Sequence, residues 1–318
     1  MRVKVLGSAA GGGFPQWNCG CQNCRRFRAG KFRGRARSQT QLAFTTDSKV
    51  WFLLGASPDL RTQIVATPEL WPEAASGHSV PAVQSGSPIA GVFLPGADVD
   101  SVSGLLHLRE FETFFVFATS AVQRLLQKEN HIFRVLERAE PPVKWVTLSS
   151  KGRLGCHLEQ DPEKAPEFFC ATVPLGGSYP DYVSEELART LPLEESSSGF
   201  VLQQGCKKVF FAPSISGKSD AWHSSVENSD VAFLDGTFWS DDELIATGRS
   251  KKTAREIGHL PLSGEGGLLE TCPTSGKGRR ILIHINNTNP ILDESSHEHH
   301  AVVEAGFEVA YDGMDVEL

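Results

Sequence analysis

The stretch from Trp17 to Cys24, WNCGCQNC, places Cys19, Cys21 and Cys24 within six residues, three of the chain's seven cysteines. Clustered thiols can form a disulfide, a redox centre or a metal site. Only a metal uses three thiolates together at spacings of two and three, and zinc favours tetrahedral thiolate and imidazole donors. The other cysteines, Cys156, Cys170, Cys206 and Cys272, are scattered and make no disulfide framework. The spacing predicts a zinc clip with three ligands in this loop and a fourth from a distant residue. A closed clip of that kind holds structure rather than reacting.

Two further stretches carry polar groups that could meet a substrate. ASPDLRTQI puts Ser57, Asp59 and Arg61 where a strand passes into a helix, so helix-start amides and Arg61 could hold a carboxylate. The same pattern also suits an N-cap followed by a solvated arginine. CRRFRAGKFRGRARS, from Cys24, has seven Arg or Lys residues and no acid. It either faces an anionic substrate or is a solvated loop.

These groups need a frame. Apolar runs ending in Gly, Asp or Pro recur as VKVLGSAAGGG, VWFLLGASPD, IAGVFLPGAD, KVFFAPSIS, VAFLDGTFW and RRILIHINN. Each reads as a buried strand that delivers a polar loop. Helical patterns such as SVSGLLHLREFE and SAVQRLLQKE lie between them, and the end of the chain reads as a helix and a last strand. The middle, from about Trp145 to Phe211, is rich in strands. The alternation predicts an α/β layered fold with a mixed sheet or two packed sheets, in one domain spanning 1–318. The stretch Pro72 to Pro88, rich in Ala, Ser, Gly and Pro, reads as a surface loop.

Composition narrows the function. With 318 residues, 40% hydrophobic and 22% charged, the chain is long enough to bury a large core. A net charge of −7 argues against general nucleic-acid binding. The N-terminal MRVKVLGSAAGGG has no apolar stretch long enough for export, and no membrane span is visible. A cytoplasmic protein is expected.

GSAAGGGFPQWNCGCQNC, ASPDLRTQI, FLDGTFW, GHLPLSG and IHINNTNPIL together resemble the coenzyme PQQ synthesis protein B family of the metallo-β-lactamase superfamily. The matching blocks run from residue 5 to about 314. The resemblance implies an αββα sandwich with metals where the two sheets meet. It also implies a part in making pyrroloquinoline quinone (PQQ) from a precursor peptide. The reaction it implies is an iron- and oxygen-dependent hydroxylation of the tyrosine side of a crosslinked Glu–Tyr unit. The partners would be that peptide or its processed product, and other PQQ-synthesis proteins. The alternatives are a binding or carrier protein for PQQ or its precursor, and a metal-dependent hydrolase.

The same resemblance supplies candidate ligands. The family loop T-D-A-x-I-D-H-x-x-G-L reads PGADVDSVSGLL here, so Asp100 matches the family aspartate and Ser101 replaces the following histidine. Asp98 lies two residues before Asp100. Asp235, after VAFL, matches the late metal-bridging aspartate of the superfamily, and His284, after ILI, matches its last ligand histidine. His259, in GHLPLSG, is implied as a metal or substrate contact. Two imidazoles and carboxylates suit one non-haem Fe2+ with open positions, and do not make a two-metal hydrolase site. A hydroxyl is a poor metal ligand at neutral pH, so Ser101 predicts weak iron binding.

In a related phosphodiesterase group with the same clip, a histidine three residues after the last active-site histidine completes the zinc. That position is Asn287 here. Either Asn287, a water or another side chain closes the clip. Asn286 and Asn289 of NNTNP bind substrate or turn the chain. HEHH, with His297, His299 and His300, reads as solvated surface, and His107 as a helix residue facing the core. His78, His131, His157 and His223 carry no spacing signal.

Overall fold

The apolar runs form strands in a computed structural model that describes residues 1–72, 86–110, 113–138, 142–149, 152–156, 168–273 and 278–318. In chain order the strands are β1 (Arg2–Gly7), β2 (Gln41–Thr45), β3 (Trp51–Leu54), β4 (Ile89–Phe93), β5 (Phe115–Thr119), β6 (Lys144–Leu148) and β7 (Arg153–Cys156). They continue as β8 (Phe168–Pro174), β9 (Ser198–Gln204), β10 (Lys207–Ala212), β11 (Val231–Asp235), β12 (Arg279–Ile283), β13 (Glu308–Val309) and β14 (Asp315–Glu317). One sheet has the order β14-β1-β2-β3-β4-β5-β6 and the other β13-β12-β11-β10-β9-β8-β7. Neighbours are parallel from β3 to β6 and from β10 to β13, and antiparallel elsewhere.

The central strands are buried on both faces, so their side chains alternate between two apolar layers. In β11, Val231 and Phe233 point to the layer between the sheets, while Ala232 and Leu234 join the layer under the helices. Phenylalanines join the sheets: Phe44 meets Phe168 edge-on at 5.1 Å and Phe93 meets Phe200 at 5.7 Å between ring centroids. Truncating Phe93 to alanine should cost about 3–5 kcal/mol, the usual loss for a buried aromatic. With helices outside both sheets, this is the αββα sandwich of the metallo-β-lactamase fold.

The parallel strands set the site. β4 leads into the loop carrying Asp98 and Asp100, β11 ends at Asp235, and His284 follows β12 directly. The structure corrects two sequence expectations and refines two others. The chain ends in two short strands, β13 and β14, because a turn after β13 carries it from the edge of one sheet to the edge of the other. His107 is exposed on the short 3-10 helix Ser103–Leu108, whose buried residues are Gly104 and Leu105. Most of the basic run is solvated, with Arg25, Arg28, Lys31, Arg33 and Arg35 exposed, and none of it lines the cavity described below. Arg26 pairs with Asp293 at 2.6 Å, Arg28 donates to the Cys19 carbonyl at 2.6 Å, and buried Arg37 donates to the carbonyl of Ala310. HEHH begins the helix His297–Glu304; His297 and His300 are exposed as expected, while His299 Nδ1 is 2.8 Å from the carbonyl of Ile291, which ties it inward. The Pro72 to Pro88 loop lies mostly outside the described residues, as do His78 and His157.

Candidate metal centres

The clip loop passes into a helix, Gln22–Arg28, capped by the Cys21 sulfur. Cys19 and Cys24 are buried, and the three sulfurs lie within 4.8 Å of one another. They converge on one side chain: Asn287 Nδ2 lies 3.0 Å from Cys19 Sγ, 3.6 Å from Cys21 Sγ and 3.5 Å from Cys24 Sγ. The Asn287 amide N–H2 thus donates to all three sulfurs from the side left open by the cysteines. The Cys19 thiol is more acidic than an ordinary cysteine. Burial opposes its ionisation, but the Cys21 N–H and the Arg249 guanidinium bring it down to about 7. Burial pushes Cys24 up to about 11. Three convergent thiols with one thiolate already favoured fit a zinc ion.

The second cluster lies at the sheet ends. Asp235 is fully buried, and each carboxylate oxygen accepts from inside the protein. Oδ1 accepts from the Thr237 N–H at 3.0 Å and the Thr237 hydroxyl at 2.6 Å; Oδ2 accepts from the Ile215 N–H at 2.8 Å and lies 2.8 Å from His259 Nδ1. Having given its proton to Asp235, the Thr237 oxygen is an acceptor. It lies 2.9 Å from His284 Nδ1 and 3.1 Å from His259 Nδ1. These acceptors place a proton on both Nδ1 atoms and leave each Nε2 for the cleft. The two rings stack at 5.3 Å with 20° between planes.

His284 Nε2 lies 3.2 Å from Asp100 Oδ2. The pairing raises the imidazole of His284 against the effect of burial, and it holds the Asp100 carboxyl below its usual range. Asp98 does the reverse: protein walls and the Asp100 charge push it up to about 6. His284 takes a φ of 60°, a left-handed backbone that a non-glycine residue adopts only when its surroundings hold it. Its neighbours do so: the N–H of Ile285 donates to the Ser8 carbonyl, and the Ile285 carbonyl accepts from Ala10. From the same loop, a side chain at Gly11 would come 3.3 Å from Asp100 Oδ2, so the clip loop lies on that carboxylate.

Asp98, Asp100, Ser101, His259 and His284 share one cavity of about 520 Å³; Asp235 does not line it, but its carboxylate and the two imidazoles offer donor atoms within 4.8 Å of one another. The residues expected to bind substrate do not line it. Ser57 is buried, takes the Gln41 amide oxygen on its N–H and bonds Gln63 through its hydroxyl. Arg61 is exposed on the helix Leu60–Val65, away from the cavity lining. Asn289 is buried, and its amide donates to the carbonyls of Gly236 and Thr237. Asn286 donates to Thr288 Oγ1 at 2.5 Å. These amides brace the loop that runs from His284 to Asn287, and so join the clip to the cleft.

Sequence reading missed Thr237 and Tyr182. Thr237 follows the candidate Asp235 by two residues, a signal of an Asx-type turn that would have exposed it. The Tyr182 hydroxyl donates to the Ala97 carbonyl at 2.5 Å and holds the loop that carries Asp98; nothing in its sequence surroundings marks it.

Comparison with known proteins matches residues 50–285 to the Beta-lactamase superfamily domain. The chain is 38% identical to coenzyme PQQ synthesis protein B of Rhizobium meliloti (strain 1021), covering 100% of this chain and 98% of that one. It is 37% identical to the same-named protein of Klebsiella pneumoniae (strain 342), again over 100% and 98%. The crystal structure of Zn(2+)-bound PqqB from Methylobacterium extorquens superposes with a TM-score of 0.87 at 34% identity, covering 100% of both chains. A diphosphatase from the PhnP family gives a TM-score of 0.65 at 16% identity over 100% of this chain and 97% of the other, a likeness of fold alone.

Proposed function

The chain belongs to the coenzyme PQQ synthesis protein B family, and from that premise we propose that it serves PQQ biosynthesis as a non-haem iron hydroxylase. The substrate would be the tyrosine part of the crosslinked Glu–Tyr precursor. The observation that carries the reading is the pair of stacked imidazoles, His259 and His284, with Nε2 atoms turned to a cavity that also holds Asp100. Two imidazoles and a carboxylate suit Fe2+ and leave positions open. When bound, the iron would supply oxygen activation.

The protein's own residues do the rest. His259, His284 and Asp100 would hold the ion, with Asp98 beside them. Asp235 and Thr237 fix the imidazoles in the required tautomer, the role a carboxylate behind a ligand histidine commonly plays. Hydroxylation places one oxygen atom in a ring C–H bond. The other leaves as water, with two electrons and two protons from an external reductant. The clip, loaded with zinc, would pin the N-terminal loop against Asp100 and the His284 segment.

The test is a reaction of anaerobically iron-loaded protein with the Glu–Tyr precursor, a reductant and isotopically labelled dioxygen. Labelled oxygen in the product is expected. Product without label, or no product at any iron loading, would overturn the hydroxylase reading. Ser101 favours a second reading, in which the chain binds precursor or quinone without turnover. Tight binding with no product would select it.

A further inference from the structure

The charged groups lining the cavity are unevenly placed. Asp98 and Asp100 stand beside the imidazoles, and Asp181 and Glu256 also line the cavity. Lys252 is the one lysine or arginine among the described residues that line it. Its side chain is exposed, and its ammonium has no hydrogen-bond or ion-pair partner among the described residues. A lysine left unpaired in an otherwise acidic lining is available to an anionic ligand.

A second group of donors shares the cavity. Gly176, Gly177 and Ser178 follow β8, and the two glycines take φ values of 78° and 104°. Their backbone N–H groups and that of Ser178 have no acceptor among the described residues. Successive amides in such a turn favour anions. A side chain added at Gly177 would meet nothing within 4 Å, so a ligand can approach the backbone there.

We propose that Lys252 and the Gly176–Ser178 amides form a carboxylate-recognition rim, separate from the metal-poised groups of the same cavity. The ligand class is a small polycarboxylate, and its identification with a PQQ precursor or PQQ rests on the function proposed above. The rim orients the ligand by its carboxylates and leaves its remaining surface to His259, His284 and Asp100.

The experiment is calorimetric titration of the full chain with PQQ, with its neutral trimethyl ester, and with tricarballylate as an unrelated tricarboxylate. PQQ and tricarballylate should bind and the ester should not. Lys252→Ala should weaken both acids about fivefold, the upper range for a solvent-exposed ion pair, and Lys252→Arg should restore them. The amide resonances of Gly176, Gly177 and Ser178 should shift on titration. An unchanged affinity in Lys252→Ala, an ester that binds as tightly as the acid, or no binding of either acid would overturn the rim. Lys252-dependent tricarballylate binding without PQQ binding would uphold the rim and sink the quinone reading. PQQ binding indifferent to Lys252 would uphold the quinone reading and sink the rim.

Discussion

The clip and the cleft are joined by one short segment, yet they are built differently. In the clip, three sulfurs converge on the Asn287 amide, and two of the three cysteines are buried. In the cleft, the candidate donors bond one another, as His284 does Asp100, and border a cavity of about 520 Å³. Three convergent, largely buried thiols suit a permanent ion. An open set, whose donors must exchange partners to bind, suits a reacting one. The two sites should therefore respond differently to mutation.

The largest effect should come from the clip. Cys21→Ser should release zinc, and because an ion bound only to the folded state adds about 4 kcal/mol at a thousandfold saturation, Tm should fall by roughly 5–10 °C. Retained stoichiometric zinc at unchanged Tm would remove the clip from the account.

In the cleft, His284→Ala should abolish iron uptake while sparing the zinc. Asp235→Ala should be milder, weakening iron about ten- to a hundredfold, because Asp235 acts through His259. Equal loss in both variants, measured by iron titration, would make Asp235 a direct ligand. Ser101→His should place an imidazole beside Asp100 and strengthen iron binding by at least about tenfold. If the serine form already binds as tightly, another side chain has taken that position.

The smallest effect should lie far from both sites. Lys4 holds the Glu69 carboxyl below its usual range, and Arg2 does the same for Asp315, joining β1 to β14. Carboxyls with lowered folded pKa values stabilise fully above their unfolded range, near pH 4, and lose that contribution as pH falls through the folded values. Arg2→Ala should cost less than about 1 kcal/mol at neutral pH and flatten the acid limb of the stability curve. It should leave both metal contents unchanged, which makes it the control for the larger variants.

Much of this was legible in the sequence. The fold could be read because strands buried on both faces appear as unbroken apolar runs, as in VAFLD and RRILI. Asp235 and His284 are marked by the family resemblance, and each stands at the end of such a run. The misreadings share a cause: Ser57 and Asn289 are polar residues in loops, which suggests contact with a ligand, but both are buried and bond the protein's own groups. The bonds from Thr237 to His259 and His284 span 22 and 47 residues, a separation that local pattern does not encode. Lys252 lay in the polar run SKKTARE, where one lysine looks like another until the cavity selects it.

The most direct test of the two-site account is elemental analysis of anaerobically purified, iron-reconstituted protein in three forms. The native chain should carry one zinc and a fraction of one iron, Cys21→Ser should lose the zinc, and His284→Ala should keep the zinc and lose the iron. Equal metal contents in all three forms, or loss of zinc from His284→Ala with the iron retained, would contradict it.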